Sequence, residues 1–246
     1  MRFCNDCDGE VMANPRTITI ADIHGCNRTF RRLIFEVVRL KKLDSLYLLG
    51  DMIDRGLDSK GVIDTIFELQ ASGYDVRSIR GNHEQLLLTY MRDPRYENLA
   101  IWLANGGDAT LESYGVDTPE ELDEPLSYLN SLPLYRTTDS HIFVHAGMDF
   151  KLDDPFSGED AILWKRSGKV NESKLNGRVL VSGHTPQSLL QIRRSLGRSH
   201  IRLDNGCVQG GPMPRLGNLV ALELESGVLH VQRNIEQPLE LPGKFW

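Results

Sequence analysis

The chain is poor in cysteine, with four in 246 residues, too few in a chain this long for a disulfide-stapled scaffold. Cys4 and Cys7 have half the spacing of a zinc site, but no second Cys-x-x-Cys pair follows, so two thiols on a loose terminus are the simpler reading. No stretch nears the roughly 20 apolar residues that span a bilayer. The first eight residues also lack the apolar core of a signal peptide, so a cytoplasmic protein with no membrane partner is expected. Basic charge is not in excess either. Lys and Arg number 28 against 34 Asp and Glu, a formal net charge of −6, which argues against a nucleic-acid partner. Missing too are a G-x-S-x-G elbow, a Walker loop and a G-x-G-x-x-G fingerprint after a strand, and with them those catalytic templates. There is no internal repeat and no low-complexity tract.

What is present suits one α/β domain over residues 1–246, with a core of about 16–234 and terminal segments 1–15 and 235–246. Hydrophobic residues make up 40% and charged residues 25%, the balance of a folded globular chain. Thr17 to Ala21, Leu46 to Leu49 and Asp75 to Ile79 read as strands. Between them, Asn27 is positioned to cap a helix running to about Lys42, and Ser59 to about Ser72 forms a second. This β-α-β-α-β order predicts a parallel sheet with its ligands beyond the carboxyl ends of the strands. Residues 85 to 133 switch to helices and loops, an insert beside the site. The sheet is expected to resume at His141 to Val144 and at Val179 to Val181. Leu219 to Leu224 and Val228 to Arg233 then close a hairpin across Ser226-Gly227, and Gln237 to Trp246 reads as a tail.

Five polar clusters close these apolar runs: Asp22-Ile23-His24-Gly25, Gly50-Asp51-Met52-Ile53-Asp54-Arg55-Gly56, Gly81-Asn82-His83-Glu84, His145-Ala146-Gly147 and Gly183-His184-Thr185. In an extended segment, Asp22 and His24 point to one side. With Asp51 they have the makings of a first metal site. Asp51 can bridge to a second, completed by Asn82, His145 and His184. Carboxylate, amide and imidazole donors without thiolate suit Mn(II), Fe or Zn. Asn82 has a competing role as a helix N-cap with Gln85 three residues on; His83 and Glu84 beside it fit catalysis. His83 is the candidate acid, oriented by Asp54, and Arg55 offers a bidentate fork to phosphate. Arg166 is either a second clamp or a surface charge. Cys26 lies near the expected metals, as a buried filler thiol or an oxidation sensor. His141, His200 and His230 read as ordinary strand or loop residues.

Taken together, these motifs resemble the phosphoprotein phosphatase family of serine/threonine phosphatases, in its small bacterial and phage-lambda-type branch. The family pattern GDxHG, GDxxDRG, GNHE, HxG and GHT covers roughly Ile18 to Leu224. The resemblance implies a calcineurin-like fold, a βαβαβ-based central β-sandwich flanked by helices. It also implies two divalent metals, commonly Mn(II), and one-step hydrolysis of phosphoserine or phosphothreonine in proteins and peptides by a metal-bridging hydroxide, phosphotyrosine being open. By motif position Asp22, His24 and Asp51 look like ligands of one ion, and Asp51, Asn82, His145 and His184 of the other. His83 with Asp54 looks like the acid pair, and Arg55 and Arg166 like phosphate clamps. Ala21 departs from the usual Gly, and a methyl there is expected to crowd the first metal. The loop Gln209 to Leu216 is expected to shape substrate access. Two alternatives stand: symmetrical diadenosine tetraphosphate hydrolases, which typically read GNHD and lack the Asp of the DRG motif, and a catalytically silent binding module.

Overall fold

Side chains on the strand Thr17–Ile20 (β1) alternate between two apolar surroundings. Ile18 and Ile20 pack with Phe30 and Leu33, whereas Ala21, just past the strand, packs with Phe143 and Val181. Ser45–Leu48 (β2) repeats the pattern, with Leu46 and Leu48 on the first side and Tyr47 on the second. A strand that buries both faces has to lie inside a layered structure. The structure, a computed structural model, describes residues 14–209 and 215–236.

Asp75–Ser78 (β3) pairs parallel with β2, and β2 with β1. The remaining strands are Tyr135–Thr137 (β4), His141–Val144 (β5), Val179–Ser182 (β6), His200–Arg202 (β7), Asn218–Glu223 (β8) and Leu229–Arg233 (β9). One sheet has the order β3-β2-β1-β8-β9, the other β4-β5-β6-β7. The two inner faces meet in a core of Tyr47, Leu49, Phe143, Val181, Val220 and Leu222. There Tyr47 stacks on Phe143 with ring centroids 4.2 Å apart. The sandwich agrees with the architecture implied by the motifs. It corrects the local reading: β5 and β6 start a second sheet instead of resuming the first, and β4 and β7 pass unseen in sequence because each is only three residues long. The hairpin of β8 and β9 is present, and β8 runs antiparallel to β1.

Helices Asn27–Arg32 (α1) and Ser59–Ala71 (α2) pack in the apolar cluster shared with β1 and β2. The expected helix to Lys42 is cut short. A π turn, Leu33–Val37, follows α1, and Arg39 adopts φ 53°, which ends the helix. Val38 and Leu40 still reach the core, so burial alone could not separate the two courses. Nor does Asn27 cap the helix: it is the first helical residue. Its amide donates to Asp58 at 2.8 Å and accepts from the Thr65 hydroxyl at 2.9 Å, stitching α1 to α2. The insert is helical as expected, with Asn82–Arg92 (α3), Tyr96–Trp102 (α4), Asp108–Tyr114 (α5) and Asp123–Ser131 (α6). Glu159–Trp164 (α7) and Leu189–Ser195 (α8) complete the set. Among the described residues no helix is long and apolar enough to cross a membrane.

The two loops that follow β2 and β3 lie against one another at Gly50. Its φ is +87°, and a Cβ there would stand 2.4 Å from the Gly81 backbone nitrogen. Gly50→Ala is expected to lower stability by about 2 kcal/mol or more, from left-handed strain plus the displaced backbone. Urea unfolding of the variant reads this directly, and an unchanged midpoint would contradict the close approach.

Candidate metal centre

Asp22, Asp51 and Asn82 follow β1, β2 and β3, and His145 and His184 follow β5 and β6, so both sheets deliver donors at strand ends. The turns are unusual. His24, Asp51, Asp54, Arg55 and His184 have φ of 47°, 50°, 70°, 71° and 66°. Each such non-glycine residue costs on the order of 1–3 kcal/mol, and the surrounding bonds have to hold it. The expected extended Asp22-x-His24 is therefore corrected. His24 turns left-handed because the Asp51 carbonyl accepts from both Ile23 and His24 N–H, at 3.0 and 2.9 Å.

Glu84, read in sequence as fitting catalysis, has a different place. Its buried carboxylate accepts from the N–H groups of Asp51 (2.9 Å), Met52 (2.8 Å) and Gly81 (2.7 Å). It thereby caps α3 from Gly81 and pins the Asp51 loop. The N-cap sits one residue earlier than expected, at Gly81, and only the Glu84 half of a capping box is present. That frees the Asn82 side chain, whose Oδ1 lies 2.8 Å from His145 Nε2.

Backbone carbonyls orient two imidazoles. His24 Nδ1 is 3.0 Å from the Ile53 carbonyl, and His145 Nδ1 is 2.8 Å from that of Leu49. A carbonyl can only accept, so each Nδ1 carries the proton and each Nε2 presents a lone pair inward. Around His145 Nε2 stand Asn82 Oδ1, His184 Nδ1 at 3.1 Å and Asp51 Oδ2 at 3.4 Å. Acceptors facing one another in a dry site need a positive charge between them. With protons alone, the answer is His145. Burial opposes its charge, but the Asp51 carboxylate prevails and pushes its pKa up to about 10. Burial and the neighbouring His145 then drive His184 down to about 3.

Asp51 also joins a second group, lying with His24 and His83 ligand atoms within 4.8 Å of one another, as it does with His145 and His184. Asp22 is not within that spacing. Its carboxylate instead accepts the His184 N–H, at 2.9 and 3.1 Å, from the wall of the same cavity. Burial, Asp204 and Asp51 together raise the Asp22 pKa well above the usual carboxylate range. The donor chemistry fits divalent cations: hard oxygens and imidazoles, no thiolate in either group, and buried carboxylates that repel one another without a counter-charge.

His83 and Asp54 form a separate buried pair, Nδ1 to Oδ2, at 2.8 Å. Asp54 is further held by the Trp102 indole N–H at 3.0 Å and the Thr110 hydroxyl at 2.7 Å. His83 Nε2 is buried without a partner among the described residues. Arg55 Nη1 lies 2.9 Å from His24 Nε2, so the guanidinium and a cation compete for one lone pair. Arg55, Arg166, Asp22, Asp51 and His184 line one cavity of about 180 Å³. Arg166 is thus beside the site, not a remote surface charge.

Three residues here went unread in sequence. Asp204 lines the cavity, buried, with one oxygen accepting from Gly206 N–H at 2.6 Å. It follows β7 in the same strand-then-acid order as Asp22, and was missed with that strand. Trp102 and Thr110 come from the insert, across a π turn at Leu103–Gly107 where Gly106 takes φ 98°. The Gly106-Gly107 pair inside a helical stretch was the available sign of close approach. Indeed, Gly106 O accepts from Arg55 N–H at 3.0 Å. Cys26 is buried in the helix-side core with Cys207. Ala21 is 3% exposed and belongs to the inter-sheet core. His200 and Ser182 share a 2.8 Å hydrogen bond. Cys4, Cys7, the tail at 237–246 and residues 210–214 of the Gln209 to Leu216 loop lie outside the described residues.

Residues 15–210 match the calcineurin-like phosphoesterase family. A symmetrical bis(5′-nucleosyl)-tetraphosphatase from Delftia acidovorans is 32% identical over 134 residues, 52% of this chain and 43% of that one. The chain thus spans less than half the length of that relative. Serine/threonine-protein phosphatase 1 of Salmonella typhimurium is 28% identical over 205 residues, 79% of this chain and 88% of its own. Among solved structures, a protein serine/threonine phosphatase from Saccharomyces cerevisiae gives a TM-score of 0.61 at 16% identity, covering 93% of this chain and 83% of that one. A cold-active protein-tyrosine phosphatase of a Shewanella species gives 0.56 at 17% identity, covering 89% and 81%. At those identities the likeness is one of fold.

Two measurements probe the charge arrangement. Saturating Mn(II) is expected to raise the melting temperature and EDTA to reverse it, by about 4 kcal/mol at a thousandfold excess over Kd. An unmoved midpoint with Mn(II), Zn(II) and Fe(II) alike would contradict the site. Burial raises the Asp204 pKa to about 6 from 3.8, so the metal-free fold favours the protonated acid and loses that preference as pH climbs through 6. Relative to wild type in EDTA, Asp204→Asn should therefore gain stability between about pH 4 and 6, by up to about 3 kcal/mol. A pH-independent difference in urea unfolding would show that Asp204 carries no unpaired charge.

Proposed function

The chain belongs to the calcineurin-like phosphoesterase family, and on that premise we propose that this metal-dependent phosphoesterase hydrolyses phosphoserine and phosphothreonine monoesters of proteins, with phosphotyrosine as a further substrate to test. The two sheets share one core, which supports treating residues 16–234 as one catalytic domain. The observation that carries the reading is the buried His83–Asp54 pair, 2.8 Å apart, with Nε2 of His83 left unpartnered. An alkoxide released from serine or threonine is strongly basic and needs a proton as it departs. A nucleotide leaving from a phosphoanhydride departs as a weakly basic anion and needs none. An acid this firmly mounted is useful chiefly for the former.

Two divalent ions, Mn(II) first with Fe or Zn as alternatives, supply Lewis-acid charge and acidify a bound water when present. Asp22, His24 and Asp51 would hold one, and Asp51, Asn82, His145 and His184 the other. Arg55 and Arg166, on the same cavity, would clamp the non-bridging phosphate oxygens as forks. His83 donates its Nε2 proton to the leaving oxygen. Asp54 accepts from Nδ1–H and stabilises the imidazolium that carries this proton, and Trp102 and Thr110 hold Asp54.

The second reading, symmetrical dinucleoside tetraphosphate hydrolysis, rests on the relatives of that name matched at 32% identity over about half of the chain. Side-by-side turnover of a phosphoserine peptide and diadenosine tetraphosphate decides between them. Activity on the dinucleotide alone would reverse the proposal.

His83→Asn should bind metal as wild type does, yet lose about 10²–10⁴-fold in kcat on phosphoserine peptide. The loss on p-nitrophenyl phosphate, whose phenolate leaves readily, should be much smaller. Equal losses on both substrates would remove His83 as the acid.

A further inference from the structure

Beside the metal cavity, a strip of surface along residues 165–170 and α8 carries charge of one sign. Arg166 lines both the metal cavity and a narrow neighbouring slot. That slot shares Lys169, His200 and Arg202 with an open groove of about 560 Å³. Along this path stand Lys165, Arg166, Lys169, Arg194, Arg198 and Arg202, and no Asp or Glu lines either the slot or the groove. Lys165 is paired with Asp149 at 3.4 Å. The side chains of the other five have no hydrogen-bond or ion-pair partner among the described residues. The chain as a whole carries −6, so this strip is a local reversal of sign. Cations left unpaired beside an anion-processing site raise the local concentration of further negative charge and steer it inward.

We propose that this groove receives acidic residues flanking the phosphorylated residue, so that the enzyme selects phosphopeptides carrying carboxylates or further phosphates on one side of the scissile ester. The inference rests on the phosphoprotein reading above and gives it a substrate class. Two features favour a peptide over a nucleotide or a single-stranded nucleic acid. Bases look for aromatic or apolar stacking faces, and the open groove offers only Val170 and the His200 ring beside Gln187, Gln191 and its cations. The slot does have apolar walls, from Met148, Phe150, Val170 and Leu180. Its free volume is only about 20 Å³, however, room for about one water, so a purine cannot enter it and a peptide would cross its mouth to reach the open groove. Carboxylates on an extended chain, with Gln and Ser side chains for its backbone, suit what the groove presents.

The test pairs two phosphoserine peptides of equal length, one with three glutamates on one side and one with glutamines there. With the Mn(II)-loaded wild type, kcat/KM should favour the acidic peptide about tenfold or more at low salt, and the preference should shrink toward 0.5 M NaCl. Arg194→Glu with Arg198→Glu should abolish the preference while leaving p-nitrophenyl phosphate turnover unchanged. Arg194→Gln with Arg198→Gln should give an intermediate loss and controls for folding. Anisotropy of a fluorescein-labelled glutamate peptide bearing a non-hydrolysable phosphoserine analogue reads the same preference without turnover. If that peptide binds and is lost in the variants while no phosphopeptide is hydrolysed, the groove stands and the phosphoprotein reading falls. Equal kcat/KM and equal binding for both peptides overturn the groove. So does tighter competition by a single-stranded oligonucleotide, or by diadenosine tetraphosphate, than by unlabelled acidic peptide.

Discussion

Negative charge and bare lone pairs gathered out of water are the constraint on which this molecule turns. Asp22, Asp51 and Asp204 are buried in one neighbourhood, and Asn82, His184 and Asp51 all converge on His145 Nε2. Desolvated carboxylates repel strongly, and a dry interior amplifies the effect. No packing of apolar groups relieves it. Only positive charge does, which is why the proton settles on His145 and why hard cations suit the site. Every nearby device keeps these groups from relaxing apart: the carbonyls of Ile53 and Leu49 fixing ring tautomers, and the Glu84 carboxylate fixing the Asp51 loop.

The sandwich makes this arrangement affordable by spreading the work over distant parts of the chain. Period-two alternation in β1, β2, β5, β6 and β8 buries both faces of each sheet, leaving strand ends as the place where polar side chains can meet. The left-handed turns at His24, Asp51, Asp54, Arg55 and His184 then aim side chains inward over very short spans. Loops anchored on two packed sheets can sustain such strain, whereas a free loop would relax.

Much of this was legible in sequence, for a physical reason. Strand ends and candidate metal donors fall together, so apolar runs closed by Asp, Asn or His marked the first three strands, β5 and β6, along with the proposed metal donors. What escaped was whatever local pattern does not encode. Apolar content could not say that His141 and Val179 belong to a second sheet. A three-residue strand has too few side chains to show a period, so β7 and with it Asp204 went unseen. The Gly81 cap was missed because Gly has no side chain to advertise it. Trp102 and Thr110 owe their roles to a helical insert packing back on Asp54, a contact of long range. Whole-chain net charge concealed the basic strip, since −6 is a sum and the strip is a place.

The grip of the insert on Asp54 reaches beyond this one chain. Because Trp102 and Thr110 supply hydrogen bonds to that carboxylate, and Gly106 takes the Arg55 amide, the segment is a component of the His83–Asp54 pair's own setting and not a decorative cap. Lengthening, trimming or exchanging the helices between 96 and 114 would change the hydrogen bonds around Asp54, and with them the surroundings of His83. A chimera that grafts this segment would then carry over the mounting of the His83–Asp54 pair along with the helices themselves.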